Sequence, residues 1–357
     1  MLRVGILTSG GDCQGLNAAI RGVAKALYEA FDEVEIYGIL DGYRGLIEGR
    51  SRLMMPENFS GILTAGGTVL GTSRQPFKLM RVVGEDGVDK VAAMKKTVAK
   101  LKLDCLVIMG GNGTHKTANL LREEGVPVVT LPKTIDNDLW GTDITFGFQS
   151  AVDIAANVID CIHTTATSHG RVFIVEVMGH KVGWLTLHAG IAAGADIVLL
   201  PEIPYDIKRV AAALERRRRQ GKSFSILAVA EGALSKTEAD LSKKALASKR
   251  EQESFPSIAY RIASELEPYA GAETRVCVPG HFQRGGPPCP YDRVLATTLG
   301  AAAARLIREK RFGMMCGVIN GEILPIPLEE VAGKLKKVPV NCSVVQMARE
   351  IGISFGD

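Results

Sequence analysis

Asp136 and Asp138 sit two positions apart in "LPKTIDNDLWGTD" (131–143), just behind Lys133 and Thr134. The stretch follows "VPVVTLP", which reads as a buried strand. A plain turn needs one or two polar residues, satisfied by local Asx hydrogen bonds. Lys133, Thr134, Asp136, Asn137 and Asp138 together exceed that need. Paired carboxylates beside a lysine suit a site that moves a proton next to something negatively charged.

Other clusters say what that charge is. In "TSGGDCQGLNAAI" (8–20), Gly10 and Gly11 stand where a strand turns into a helix. Glycines there let backbone N–H groups approach a phosphate, and the helix N-terminus adds a favourable dipole. "GGNGTHKTA" (110–118) repeats the arrangement around Gly113 and Thr114. Such turns also occur for packing reasons, but two in one chain favour a nucleotide or polyphosphate. Neither fits GxxxxGK[ST] or GxGxxG, which excludes a P-loop and the dinucleotide fingerprint. Arg74 follows a glycine-punctuated turn in "GGTVLGTSRQPF" (66–77). Such an arginine is either solvated or stabilises a transferring phosphoryl group. "RVCVPGHFQRGGPPCPYDR" (275–293) brings Arg275, His281, Arg284 and Arg293 close in sequence. Bidentate arginines there suit a phosphate ester, and surface ion pairing is the alternative.

The elements that must hold these clusters alternate. "RVGILTS" leads into "GLNAAIRGVAKALYEA", and "DCLVIMG" into "THKTANLLREEG". "RVFIVEVMG", "DIVLLPE" and "SFSILAVAEGA" continue the rhythm. Continuous apolar strands separated by helices predict an α/β fold with parallel sheets covered on both faces. Ligands then bind beyond the carboxyl ends of the strands, where every cluster above falls. With 46% hydrophobic and 23% charged residues the chain is an ordinary globular mixture, long enough for two domains. No apolar run approaches a bilayer span, and the start "MLRVGILTSGGD" leaves no room for a signal peptide. A net charge of +4 over 357 residues argues against nucleic acid, and "ERRRRQGK" (215–222) reads as a solvated helix end. Seven scattered cysteines with no CxxC predict reduced thiols in the cytoplasm. The charged stretch 233–255 reads as an exposed helix or flap.

"TSGGD", "GGNGT", "PKTIDND", "VEVMG" and "GHFQRGG…DR" occur in this order, and together they resemble the 6-phosphofructokinase family from residue 4 to about 325. The resemblance implies two Rossmann-like parallel-sheet domains with the active site in the cleft between them. A nucleotide domain would take 1–147 plus about 283–330, and a fructose 6-phosphate domain 148–282 plus about 331–357. It implies γ-phosphoryl transfer from ATP, with Mg2+, to the 1-hydroxyl of fructose 6-phosphate. Asp136 would be the general base, Asp138 would face the metal or hold the loop, and Thr134 and Lys133 would contact the transferred group. Met178, Gly179 and Glu231 would grip the sugar. Arg171, Arg275, His281 and Arg284 would meet its 6-phosphate, the first two from a neighbouring subunit. That implies a homo-oligomer, a tetramer or dimer. Gly11, Arg74, Gly113 and Thr114 would form the nucleotide side.

Two positions bear on the donor. A glycine at 113 leaves room for the α-phosphate of ATP, where pyrophosphate-using members carry an aspartate. Lys133 is the residue that pyrophosphate enzymes have, although glycine with lysine also occurs in ATP-using members. ATP is therefore expected, with pyrophosphate as the alternative. Asn112 replaces an aspartate that helps hold magnesium, which leaves Asn112 with Asp138 as the metal ligands. It also leaves open a non-catalytic, regulatory sugar-phosphate-binding subunit. At the effector site that the resemblance implies, Arg21 is kept while Lys25 and His163 replace arginines, so weak effector binding is expected.

Overall fold

The computed structural model describes residues 1–83, 87–269 and 273–357. The chain divides into two compact units, Met1–Ser150 with Arg284–Lys336, and Ala151–Gln283 with Lys337–Asp357. The strands are β1 Leu2–Thr8, β2 Val34–Ile39, β3 Ser51–Met54, β4 Cys105–Gly110, β5 Val128–Pro132, β6 Val172–Val177, β7 Ile197–Leu199, β8 Ser225–Ala230, β9 Thr274–Cys277, β10 Met314–Ile319 and β11 Glu322–Pro327.

In the first unit the sheet order is β11-β10-β5-β4-β1-β2-β3. The five central strands are mutually parallel, because helical crossovers return the chain to the same end each time. Val107 and Met109 of β4 enter one apolar core, with Val4 and Ile6 of β1. Leu106 and Ile108 enter the core on the other face, with Leu7. Burial on both faces explains why these strands read as unbroken apolar runs. The helices Leu16–Ala30 and Pro290–Arg308 cover one face and touch through glycines. A Cβ at Gly22 would lie 2.7 Å from the Thr297 carbonyl oxygen, so the two backbones approach more closely than a larger residue allows.

The sheet departs from the all-parallel expectation at its edges. β3 pairs antiparallel with β2, and β11 with β10. The second pairing is a hairpin through Asn320 (φ 51°) and Gly321 (φ 83°), the left-handed pair that a two-residue turn requires.

Chain order places the site. After β1 the chain goes to β2 on one side, and β4 later packs on the other side of β1. The carboxyl ends of β1 and β4 therefore flank a topological switch point, where open α/β sheets bind ligands.

The second unit is a parallel sheet in the order β7-β8-β6-β9. Part of the 233–255 stretch is anchored to it. Glu238, 1% exposed, receives both Nη groups of Arg261 at 2.7 Å, and Arg250 Nε at 3.1 Å. The helix Lys243–Gln252 has no buried residue, so Arg250 is its tie to the unit. Burial alone would raise the Glu238 carboxyl, but Arg261, the Ser235 N–H and Arg250 outweigh it and hold it at about 2. Because that value lies below the ordinary one, the stabilisation is complete above about pH 5 and is lost as pH falls towards 2. Glu238→Ala leaves Arg261 buried without this partner and is expected to cost about 3–5 kcal/mol at neutral pH, measured by urea unfolding. A loss below about 1 kcal/mol, the range of an exposed pair, would show that the pair is not an anchor.

No described helix is long and apolar enough to cross a membrane. The basic run is paired locally. Arg217 meets Asp196 at 2.8 Å, while Arg218 and Arg219 meet Glu215 at 2.7 and 2.9 Å.

Candidate active site

Three neighbouring strands of the first unit deliver the polar clusters to one end. β1 ends at Thr8, β4 at Gly110 and β5 at Pro132. With strands about 4.8 Å apart, the loops that follow are adjacent by construction.

The loop after β1 turns at Gly10, whose φ of 87° is left-handed. Its N–H donates to Ser73 O at 3.0 Å, and Thr72 Oγ1 donates to Gly10 O at 2.7 Å. These bonds bring the 71–74 segment alongside. A Cβ at Gly11 would stand 3.1 Å from Arg284 Nη1 and 3.4 Å from Arg74 Nη2. Two guanidinium groups thus bracket a residue that has no side chain. Arg284 also donates to Asp12 O at 3.0 Å.

Lys133, buried at the exit of β5, donates its ammonium to Gly11 O. Burial is the main cause that lowers its pKa, and the Arg284 guanidinium adds to it. Three cationic side chains therefore surround Gly11, a strong local attraction for a polyanion.

The loop after β4 opens the helix Asn112–Glu123. Gly113 is exposed in its first turn, and a Cβ there would meet nothing within 4 Å. Thr114 is buried, with Oγ1 donating to Ser9 O at 3.4 Å and its carbonyl accepting from Tyr43 Oη at 2.8 Å. His115 lies beneath, its Nδ1 2.9 Å from Gly111 O, and burial pulls it down to about 4, so it is neutral. Asn112 Nδ2 donates to Lys334 O at 2.6 Å, which leaves the amide oxygen as the atom this side chain can offer a metal.

Behind Lys133, the Thr134 hydroxyl accepts the Asp136 N–H at 3.1 Å. Asn137 takes a left-handed φ of 52°, which asparagine tolerates better than most residues. Burial, and then the neighbouring Asp136 carboxylate, push Asp138 up to about 6. Like charges so close disfavour joint ionisation unless a cation is supplied.

One group here carried no sequence signal. Lys336 Nζ donates to Asn137 Oδ1 at 3.0 Å and to the carbonyls of Thr142 and Asp143 at 2.8 Å each. Burial pulls its pKa down to about 8.

In the second unit, Met178, Gly179 and Glu231 come together beyond β6 and β8. Glu231 Oε1 accepts from Gly179 N at 3.2 Å and from His180 N at 2.6 Å. The Met178 N–H is taken by Gln283 Oε1 at 3.2 Å, another contact the motifs did not reveal. His281 is exposed in the 3-10 turn Gly280–Arg284. Arg171 and Arg275 are elsewhere. Arg171 precedes β6, Arg275 lies opposite Phe173 in the register of β6 and β9, and both pair with Glu273. Met178 follows the far end of the same strand, about 20 Å away at 3.3 Å per residue. Within the chain these arginines thus stand at the opposite end of β6 from the Met178–Glu231 group.

The phosphofructokinase family model matches residues 3–307. This chain belongs to the phosphofructokinase family. It is 55% identical over 99% of its length to an "ATP-dependent 6-phosphofructokinase" of Spirochaeta thermophila, covering 97% of that protein. It is 48% identical to "ATP-dependent 6-phosphofructokinase 3" of Bacteroides thetaiotaomicron, covering 99% of this chain and all of that one. Among solved structures, Pichia pastoris phosphofructokinase in the T-state aligns with 92% of this chain at TM-score 0.77 and 31% identity. This chain spans 35% of that longer one. A pyrophosphate-dependent phosphofructokinase from Marinobacter aquaeolei aligns at TM-score 0.80 over 99% of this chain and 91% of that one, with 20% identity, a likeness of fold.

Proposed function

We propose that this phosphofructokinase transfers the γ-phosphoryl group of ATP to the 1-hydroxyl of fructose 6-phosphate. The observation that carries the reading is the cationic surround of Gly11, after β1, with the Asp136 carboxylate after β5 and only β4 between the two strands. Asp136 accepts the hydroxyl proton as the oxygen attacks phosphorus. Thr134 orients the loop through the Asp136 N–H. Arg74 stabilises charge on the moving phosphoryl group, and Lys133 adds charge from behind Gly11. Arg284, expected at the sugar 6-phosphate, also borders Gly11 and is proposed to add charge there. The first unit takes the nucleotide through Gly11, Gly113 and Thr114. The second takes the sugar through Met178, Gly179 and Glu231, with His281 near its phosphate.

Mg2+ fits the donor set. Among the described residues no three acidic, His or Cys side chains form a protein cage. Mg2+ does not need one, since it keeps waters and borrows phosphate oxygens. Asp138 would hold it, with Asn112 Oδ1 as a further neutral donor, and it would offset charge on the phosphates.

Gly113 supports ATP over pyrophosphate, since the space beside it is open. Lys133 is spent on Gly11 O, which suits either donor. Rates with ATP and with pyrophosphate, measured side by side at saturating fructose 6-phosphate, test this. Faster turnover with pyrophosphate overturns it, and no ADP from MgATP would favour a regulatory subunit.

Arg171 and Arg275 reach the sugar phosphate only from a second copy of the chain, so the active form is a homo-oligomer. Arg275→Ala is expected to raise the half-saturation for fructose 6-phosphate about tenfold or more, as loss of a charged hydrogen bond does, and to leave ATP affinity nearly unchanged. Hetero-oligomers of Arg275→Ala and Asp136→Asn subunits then regain activity, because one hybrid site is whole. No recovery in proven hetero-oligomers means that each site is built within one chain.

A further inference from the structure

Residues 334–336 close over both loops of the proposed site. Asn112 Nδ2 donates to Lys334 O at 2.6 Å, Leu335 bridges Leu139, and Lys336 N donates to Asp138 O at 2.9 Å. The side chain of Lys336 then enters the turn itself. Asn137 Oδ1, Thr142 O and Asp143 O, which accept from it, all belong to the segment that Asp136 and Asp138 open. Asn137 is the centre of this web. Its Oδ1 also accepts the Thr145 N–H at 3.1 Å, and its Nδ2 donates to Asp143 O at 3.3 Å. Thr145 Oγ1 donates in turn to Thr134 O at 2.7 Å. A chain of hydrogen bonds therefore runs from Lys336 through Asn137 and Thr145 to the residue whose hydroxyl holds the Asp136 N–H.

We propose that Lys336 is a positioning residue for phosphoryl transfer, its ammonium fixing the left-handed Asn137 turn and so the separation and aim of Asp136 and Asp138. The inference rests on the reading of Asp136 as the base. Without the ammonium, the Thr142 and Asp143 carbonyls and the Asn137 amide lose a common donor. The turn then relaxes, although its backbone connections remain. Misplacement of a reacting group by an ångström costs about a hundredfold in rate, whereas substrate contacts made elsewhere are untouched.

Lys336→Met, which keeps the stem and removes the donors, is therefore expected to lower kcat about ten- to a hundredfold. The half-saturations for ATP and fructose 6-phosphate stay within about threefold, the pattern of an interaction felt in the transition state. Asn137→Ala is expected to do the same. The double variant is then no worse than the poorer single one by more than about threefold, since both act through one turn. Parental kcat in Lys336→Met overturns the proposal, as does a double variant whose loss is the product of the two single losses. Lys336→Gln is the second variant. Failure of both Lys336 variants to fold also overturns it, by making the residue purely structural. Asp136→Asn, assayed in parallel, separates the two ideas. Full turnover there removes the base and the inference with it, while an inactive Asp136→Asn beside an unaffected Lys336→Met removes the inference alone.

Discussion

Replacing Asp136 by asparagine is expected to cut turnover by roughly 10²–10⁴-fold, the usual worth of a positioned base. The amide keeps the size of the side chain and its reach, so the Thr134 hydroxyl bond to the backbone of residue 136 survives. What is lost is the acceptor for the sugar proton. The Met178–Glu231 group lies in the other unit and is untouched, so the half-saturation for fructose 6-phosphate is expected to stay near the parent value. One electrostatic consequence accompanies the change. The Asp136 carboxylate is the second cause, after burial, that raises Asp138. Removing it lets Asp138 ionise at lower pH, so weaker Mg2+ binding is not the expected reason for the loss. Steady-state rates across a range of Mg2+ concentrations check both points. Turnover within threefold of the parent, a tenth or less of the expected loss, would sink the assignment.

The parts of this molecule that the sequence made legible are those where one local rule decides the outcome. A strand buried on both faces must be apolar throughout, so β1, β4, β5, β6 and β8 announce themselves as runs. A loop that brings backbone close to a phosphate needs glycine, so Gly10, Gly11 and Gly113 stand out. The antiparallel edge was readable too, because Asn320–Gly321 is a two-residue turn signal between apolar runs. Lys336 was not readable. It lies 199 residues from Asn137, in a segment with no motif, and its neighbours Lys334 and Lys337 are of the same type. Nothing local separates a lysine that caps three acceptors from one in solvent. Glu273 is a similar case. Its pairing with Arg171, 102 residues away, follows from the register of β6 against β9, which periodicity cannot supply. Long-range pairing is the information that a single sequence withholds.

Gly113→Asp is expected to abolish most ATP activity while leaving the protein folded. The stability half of the claim comes first, because it makes the test clean. Gly113 is exposed in the first turn of the helix Asn112–Glu123, and a Cβ there meets nothing within 4 Å. Its backbone is not in the left-handed region, so no strain follows. A carboxylate near a helix N-terminus is favoured by the dipole, typically by about 0.3–1 kcal/mol. The thermal midpoint is therefore expected to hold or rise slightly. The functional half follows from the same open space. An aspartate fills the volume beside the loop that the α-phosphate and nucleoside of ATP would use, and its charge repels that phosphate. Like charges brought together without water cost several kcal/mol, which is about a hundredfold or more in affinity. Pyrophosphate has no α-phosphate to exclude. Lys133 already donates to Gly11 O and suits either donor, so the variant is expected to lose far less with pyrophosphate than with ATP. The measurement is the ratio of kcat/KM for the two donors in parent and variant at saturating fructose 6-phosphate. A ratio unmoved by Gly113→Asp, in a protein with its parental thermal midpoint, would mean that the volume beside Gly113 is not where the nucleotide lies. Donor choice would then have to be sought on the Arg74 side of the Gly11 loop.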